Sequence, residues 1–241
     1  GPAGAFLAAL VATEIGKLVS KTTKVDIIVT PAVTLGVGVG VSMLICPPLA
    51  YLLYWLGAFV KFATDAAPFV MGVVISVLMG MILTLPISSA AIGVSMGITG
   101  LAAGAATVGC CCNMIGFAVA SYRENKVSGL ISQGIGTSML YWPNIIKKPA
   151  IWLPTILSSL ILGPIGVCLL NVTSTSAGAG MGSCGLVGQI SMLETMGYDN
   201  PLTYVSIFAL QILGSIVLTI LFDYLFKKVF KLYSDEDLKL A

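Results

Sequence analysis

The sequence predicts an all-α fold: a polytopic bundle of transmembrane helices with broken or re-entrant glycine-rich segments and a candidate inverted repeat. Three observations predict it. Charged residues make up 9% of the 241 positions, hydrophobic residues 57%, and mean hydropathy is +1.02. An ordinary soluble domain carries about 25% charged residues, so ten acidic and twelve basic side chains are too few to solvate this chain. Apolar runs of spanning length, about 20 residues, recur along it. Finally, Lys and Arg fall in short loops that alternate with loops almost free of positive charge.

The elements follow in order. Ala3–Val19 reads as a first span. Ile27 to Val60 is too long for one upright helix and contains Pro47-Pro48, which predicts a span to about Cys46 and a second, shallower helix to about Val60. Phe69–Leu85 is a span stopped by Pro86. Ile87–Ser121 is almost uncharged and studded with Gly and Ser, and reads as two short or broken helices. Val127–Trp142 is less apolar, carries Gln133, and reads as re-entrant or interfacial. Ile151–Leu170 is a span containing Pro154 and Pro164. Asn171–Leu193 is polar and glycine-rich. Leu202–Phe226 is the last span, followed by an exposed tail, Ser234–Ala241. Residues 1–241 are read as a single integral membrane domain. Gly1-Pro2 fits either a cleavage scar or a start inside a longer protein, and the first segment has neither the basic leader nor the cleavage site of a signal peptide.

Short basic loops stay in the cytoplasm. Those here hold Lys17, Lys21 and Lys24; Arg123 and Lys126; Lys147 and Lys148; and Lys227, Lys228 and Lys231. The loops near Asp65 and Glu194–Asp199 carry little positive charge. These signs alternate consistently with the spans if Ile87–Ser121 crosses an even number of times, and they place the C-terminus in the cytoplasm. Tyr141, Trp142 and Trp152 flank Lys147-Lys148 as interfacial anchors.

Hydrocarbon leaves no water for an exposed backbone, so irregular chain at membrane depth needs protein or a water-filled cavity beside it. Two stretches depart from regular spanning helix. One is Pro86–Ala91 running on to Ala102–Gly109; the other is Ser174–Gly185. Each predicts helix N-termini, with free N–H groups, around an anionic or hydroxyl-rich ligand. Ala103–Cys110 also aligns weakly with Ala177–Cys184, the pattern of paired interrupted segments in transporter repeats. The alternative is that the small residues only let helices approach closely.

Candidate substrate-binding groups in or beside these stretches are Ser88, Ser89, Asn113, Gln133, Asn144, Ser183, Gln189 and Glu194. Amides and hydroxyls suit a neutral polar solute such as a sugar, and each can equally serve as an interhelical hydrogen bond. Glu14 and Glu194 are candidates for ion or proton coupling. Glu14 precedes Lys17 by three residues and Asp223 precedes Lys227 by four, the spacings of helical ion pairs. The chain has no histidine, which removes the usual proton shuttle near neutral pH. The six cysteines lack zinc-ligand spacing and read as packing residues, with a reactive thiol among Cys110–Cys112 as the alternative. No cofactor, metal or catalytic set is called for, and no basic run points to nucleic acid.

Gly80–Ala91, which includes Pro86-Ile87-Ser88-Ser89, and then Gly100–Gly109 resemble the membrane, IIC-like subunits of the bacterial phosphotransferase system. The likeness is closer to the branch that includes the perfringolysin O regulator. Arg123-Glu124-Asn125, Gly134–Met139, Pro143-Asn144 and Ala177–Gly182 extend it to Gln189, and Gly4 to Lys17 also fits. The resemblance implies a multi-pass bacterial plasma-membrane protein in the lipid bilayer that carries a small polar, sugar-like solute and forms a homodimer. It also implies cytoplasmic phosphotransferase components as partners and further membrane segments ahead of Gly1. Glucose-type members place His and Glu beside the sugar. The absence of His departs from that pattern and points to transport without coupled phosphorylation, or to a membrane-embedded ligand sensor and regulator that binds without transporting.

Overall fold

The computed structural model describes residues 2–21 and 25–240. Lys24, which the charge pattern placed in the first basic loop, lies outside the described residues, as do Gly1 and Ala241. Among the described residues four helices are long and apolar enough to cross a membrane: Asp26–Ala66, Gly100–Ala120, Pro149–Cys168 and Pro201–Val229. The shorter Pro68–Thr84 is as apolar.

Helix α1 (Pro2–Val19) lies along α2 (Asp26–Ala66). Small residues make this contact. Gly4 faces Cys46, Gly16 faces Thr34, and Gly38 faces Ala12. Helix α2 runs through Pro47 and Pro48 without a break, which corrects the expected division there. Each proline ring deletes one N–H from the ladder. The two rings sit on one turn, so the loss stays local while the flanking turns keep their bonds. At 41 residues the helix is about 60 Å long, twice the hydrocarbon thickness of about 30 Å.

The core is built on α3 (Pro68–Thr84), α5 (Gly100–Ala120), α8 (Leu153–Cys168) and the last helix, α11 (Pro201–Val229). Glycines set the spacing. A Cβ on Gly109 would lie 1.9 Å from the Ser76 carbonyl oxygen, and one on Gly104 would lie 1.8 Å from that of Val172. The Ala102–Gly109 stretch is therefore regular helix, buried on all sides, and its small residues serve close packing. The reading of this stretch as a broken helix is corrected.

Directions follow from the contacts. Ser76 faces Gly109 and Gly80 faces Asn113, so α3 and α5 run parallel. Ser76 Oγ donates to the Ser159 carbonyl (2.9 Å) and Gly72 faces Pro164, so α8 runs against them. Ser215 on α11 donates to Cys112 Sγ (3.3 Å) and Thr219 meets Gly116, so α11 is parallel to α5. Two successive parallel helices require a return crossing. Residues 85–99 supply it as an extended stretch followed by α4 (Ser89–Met96), eight residues long. That gives Ile87–Ser121 its even number of crossings.

Beyond α5 come α6 (Tyr122–Ile131), a π turn at Ser132–Gly136, a 3-10 turn at Ser138–Tyr141 and α7 (Trp142–Lys147). This segment is re-entrant: it dips until the Gly134 carbonyl accepts from Ser183 Oγ (2.7 Å), and returns to the end of α5. Tyr141 is fully buried and stacks on Phe117, with ring centroids 4.8 Å apart. It is therefore a core residue, which corrects its reading as an interfacial anchor.

The tail also departs from expectation. Leu238 is buried, Asn144 Nδ2 donates to the carbonyls of Asp237 (2.8 Å) and Lys239 (2.9 Å), and Tyr141 Oη donates to the Leu238 carbonyl. The stretch from Ser234 to Leu240 is thus docked, because ion pairs and an apolar anchor fix a chain that composition alone would leave in solvent.

Candidate functional site

The second glycine segment forms a re-entrant hairpin. Helix α9 (Ser176–Met181) enters beside the start of α5, where Ser174 N–H donates to the Gly100 carbonyl at 3.3 Å. The chain reverses at residues 182–186, and α10 (Val187–Met196) leads it back out. Thr195 Oγ1 closes the base on the Thr173 carbonyl (2.8 Å), and Thr175 Oγ1 bonds Ser191 Oγ (2.9 Å) between the arms.

The reversal needs three residues of positive φ: Gly182 (53°), Gly185 (54°) and Leu186 (60°). Glycine takes that conformation freely, whereas Leu186 pays about 1–2 kcal/mol. Gly182 abuts Cys110 and Cys111, and Gly188 abuts Thr107. Cys110 stands ten residues into α5, a rise of about 15 Å, half the hydrocarbon thickness. The tip therefore reaches mid-depth.

Half-helix α4 starts at the same depth. Ser89 Oγ donates to the Gly180 carbonyl, and Gly93 packs on the Ser176 carbonyl oxygen, so α4 and α9 cross antiparallel. The two glycine-rich stretches meet at the middle of the membrane, and the N-termini of α4 and α10 both lie at that junction. Ser88 caps α4 by accepting from Ala91 N–H (3.2 Å). No side chain caps α10. Pro86–Ser88, Ile135–Gly136 and Gly185–Leu186 are exposed around the junction, so irregular backbone faces outward at membrane depth. The alignment of Ala103–Cys110 with Ala177–Cys184 does not survive as a structural repeat: one stretch is regular helix, the other a short helix and turn.

The candidate residues divide. Ser88, Ser89, Ser183 and Gln189 gather at the junction. Ser183 Oγ donates to the Gly134 carbonyl (2.7 Å), tying the hairpin tip to the re-entrant π turn. Gln189 Nε2 donates to Gln211 Oε1 (3.1 Å) and Cys111 Sγ (3.4 Å), while its own Oε1 is buried without a partner. Asn113 is wholly occupied within the bundle: it accepts from Trp152 Nε1 (3.1 Å) and Thr155 Oγ1 (3.0 Å) and donates to the Gly109 carbonyl (3.2 Å). Gln133 Nε2 donates to Ser121 Oγ (3.3 Å), near the end of α5, and leaves Oε1 buried and unpartnered. Asn144 holds the tail. Glu194 is exposed near the base of the hairpin, and Glu14 pairs with Lys17 at 2.7 Å on the exposed face of α1. Neither glutamate reaches the junction.

Gln211 was missed. It is fully buried on α11 within a π-helical stretch, Ser206–Gly214. An amide in the middle of a long apolar helix was the available signal.

A buried acceptor with no donor costs roughly 1–3 kcal/mol. Two amide oxygens in that state, at Gln189 and Gln133, are the groups that an incoming hydroxyl or water would satisfy. Among the described residues no cluster of three metal-ligating side chains exists.

At one end of the bundle the basic groups converge. Lys227 Nζ pairs with Asp223 (2.7 Å) and Asp235 (2.6 Å) and donates to the Ala120 carbonyl (3.4 Å). Arg123 pairs with Asp235 (3.3 Å), and Lys148 with Asp237 (2.8 Å). Hydrogen bonds from Lys227 and Lys148 hold the Asp235 and Asp237 carboxyls below their usual range.

Comparison with curated proteins and with solved structures gives no match. The family described as "Phosphotransferase system, EIIC" matches residues 1–240. With its apolar helices and glycine-broken membrane segments, the chain is a multi-pass membrane protein of sugar-transport type and belongs to the phosphotransferase system EIIC family.

Proposed function

We propose that the chain transports a small polar, sugar-like solute through the mid-membrane junction of its two glycine-rich stretches, without phosphoryl transfer by its own side chains. The observation that carries this is the meeting of α4 and the α9–α10 hairpin at half depth, joined by Ser89 and Gly180. Irregular backbone at that depth must be covered by protein or wetted by a cavity, and the second of these supports a polar path. The free Gln189 Oε1 offers an acceptor to hydroxyl groups. The chain holds no histidine to shuttle a phosphoryl group or a proton. Lys and Arg at the Ala120 end support a cytoplasmic side for that end and for the docked tail.

The test is uptake of labelled hexoses, disaccharides and polyols into proteoliposomes of the whole chain. A saturable flux that drops at least tenfold in a Ser88→Ala/Gln189→Ala double variant supports the site. Unchanged flux in that variant places the site elsewhere. Saturable binding with no flux removes transport.

A further inference from the structure

Two cavities open on the same side of the bundle. One, of about 540 Å³, lies at the basic end among Arg123, Asp223, Lys227, Lys228 and Asp235, with Val119 and Leu130 on its wall. The other, of about 530 Å³, runs deeper between α5, the re-entrant segment, α10 and α11; its wall is aliphatic and aromatic except at its inner end, where Ser183 and Gln189 of the junction border it. Val119 and Leu130 line both, so the two adjoin.

Helix α11 forms one side of this groove with a single row of side chains four residues apart. The row runs Phe208, Ile212, Ile216, Ile220, Tyr224 and Lys228. Neighbours in such a row lie on adjoining turns of one helix face. The chemistry is graded along the row, apolar for four positions, then a phenol, then an ammonium. From Lys228 to Ile212 the rise is about 24 Å. One leaflet with its headgroups is about 20 Å deep.

We infer that this groove is a binding site for an anionic phospholipid, with the headgroup phosphate at Lys228 and Arg123 and one acyl chain laid along Ile220, Ile216 and Ile212. The charges at the mouth support an anion. Lys227 is satisfied by Asp223 and Asp235, but Lys228 is exposed and has no partner among the described residues, and Arg123 is 75% exposed beside its long ion pair. Basic pockets between spanning helices on the cytoplasmic side take anionic headgroups. The apolar wall distinguishes a lipid from a free anion, which has no use for it. The leaflet assignment rests on the orientation proposed above; the site itself does not.

The test uses the purified whole chain in detergent. Phosphatidylglycerol, phosphatidylcholine and inorganic phosphate are titrated separately, with native mass spectrometry and thermal unfolding as readouts. Retention of phosphatidylglycerol over phosphatidylcholine is expected. Lys228→Gln should weaken it about fivefold. Ile216→Trp, which fills the groove without altering charge, should abolish it. Both variants should keep wild-type elution and helical signal, which shows that they fold. Equal retention of the two lipids, equal protection by inorganic phosphate, or undiminished binding in both folded variants overturns the proposal. Loss of sugar uptake with lipid binding intact touches only the transport site, so the two readings fail separately.

Discussion

Ser89, on the half-helix after Pro86, gives its hydroxyl hydrogen to the carbonyl of Gly180, 91 residues later in the re-entrant hairpin. The bond joins the two glycine-rich stretches where neither is a spanning helix. It is possible only because Gly180 has no side chain. A Cβ there would lie 2.4 Å from the Ser89 carbonyl oxygen and 2.5 Å from Ala90 Cα.

Gly180→Ala should therefore separate α4 from α9. Backbone atoms cannot move aside as a side-chain end does, so the cost should reach about 1–3 kcal/mol. A clear fall in unfolding temperature is expected. Gly40→Ala, with nothing within 4 Å of its added Cβ, is the control and should match or exceed wild type. Equal stability of the two variants would falsify the close crossing.

The paired amides Gln189 and Gln211 should behave non-additively. Gln211→Leu strands the Gln189 amide in the core and should cost about 1–3 kcal/mol. Gln189→Leu/Gln211→Leu removes both polar groups and should recover much of that loss while abolishing solute binding. Thermal unfolding and uptake, measured on both variants, separate these outcomes.

The docked tail should respond to acid. Lys227 lowers the Asp235 carboxyl and Lys148 lowers that of Asp237. A depressed folded value means the stabilisation is complete above the unfolded carboxyl value of about 3.9. It disappears as pH falls through the lower, folded values. The tail should stay protected from protease at neutral pH and down to about pH 4, then become cleavable below it by an acid-active protease. Asp237→Asn should raise cleavage already at neutral pH.

Tyr141 should act on the tail through its hydroxyl alone. Burial pushes its phenol up to about 12, so it is a donor at every physiological pH. Tyr141→Phe keeps the stacking on Phe117 and loses the hydrogen bond to the Leu238 carbonyl. The expected change is about 1 kcal/mol, read as faster tail cleavage with unaltered helical content.

The candidate site is partly legible in the sequence. Ser88, Ser89, Ser183 and Gln189 share a junction because each sits beside a glycine-rich break, and breaks at membrane depth must be covered or wetted. Asn113, Gln133 and Asn144 belonged to the same class of polar residues in apolar surroundings. Their partners, such as Trp152 and Thr155 for Asn113, are far away in sequence, so nothing local separated a packing amide from a ligand amide.

By itself, the sequence determined the membrane character and most of the long apolar helices, because hydropathy is a sum over neighbouring residues. Tertiary structure alone decided what the small residues do. Ala103–Cys110 stays helical because Gly104 and Gly109 are pressed against the backbones of Val172 and Ser76. Ala177–Cys184, of similar composition, turns back where Gly182 meets Cys110. Glycine permits both close packing and chain reversal, and what lies opposite it selects between them.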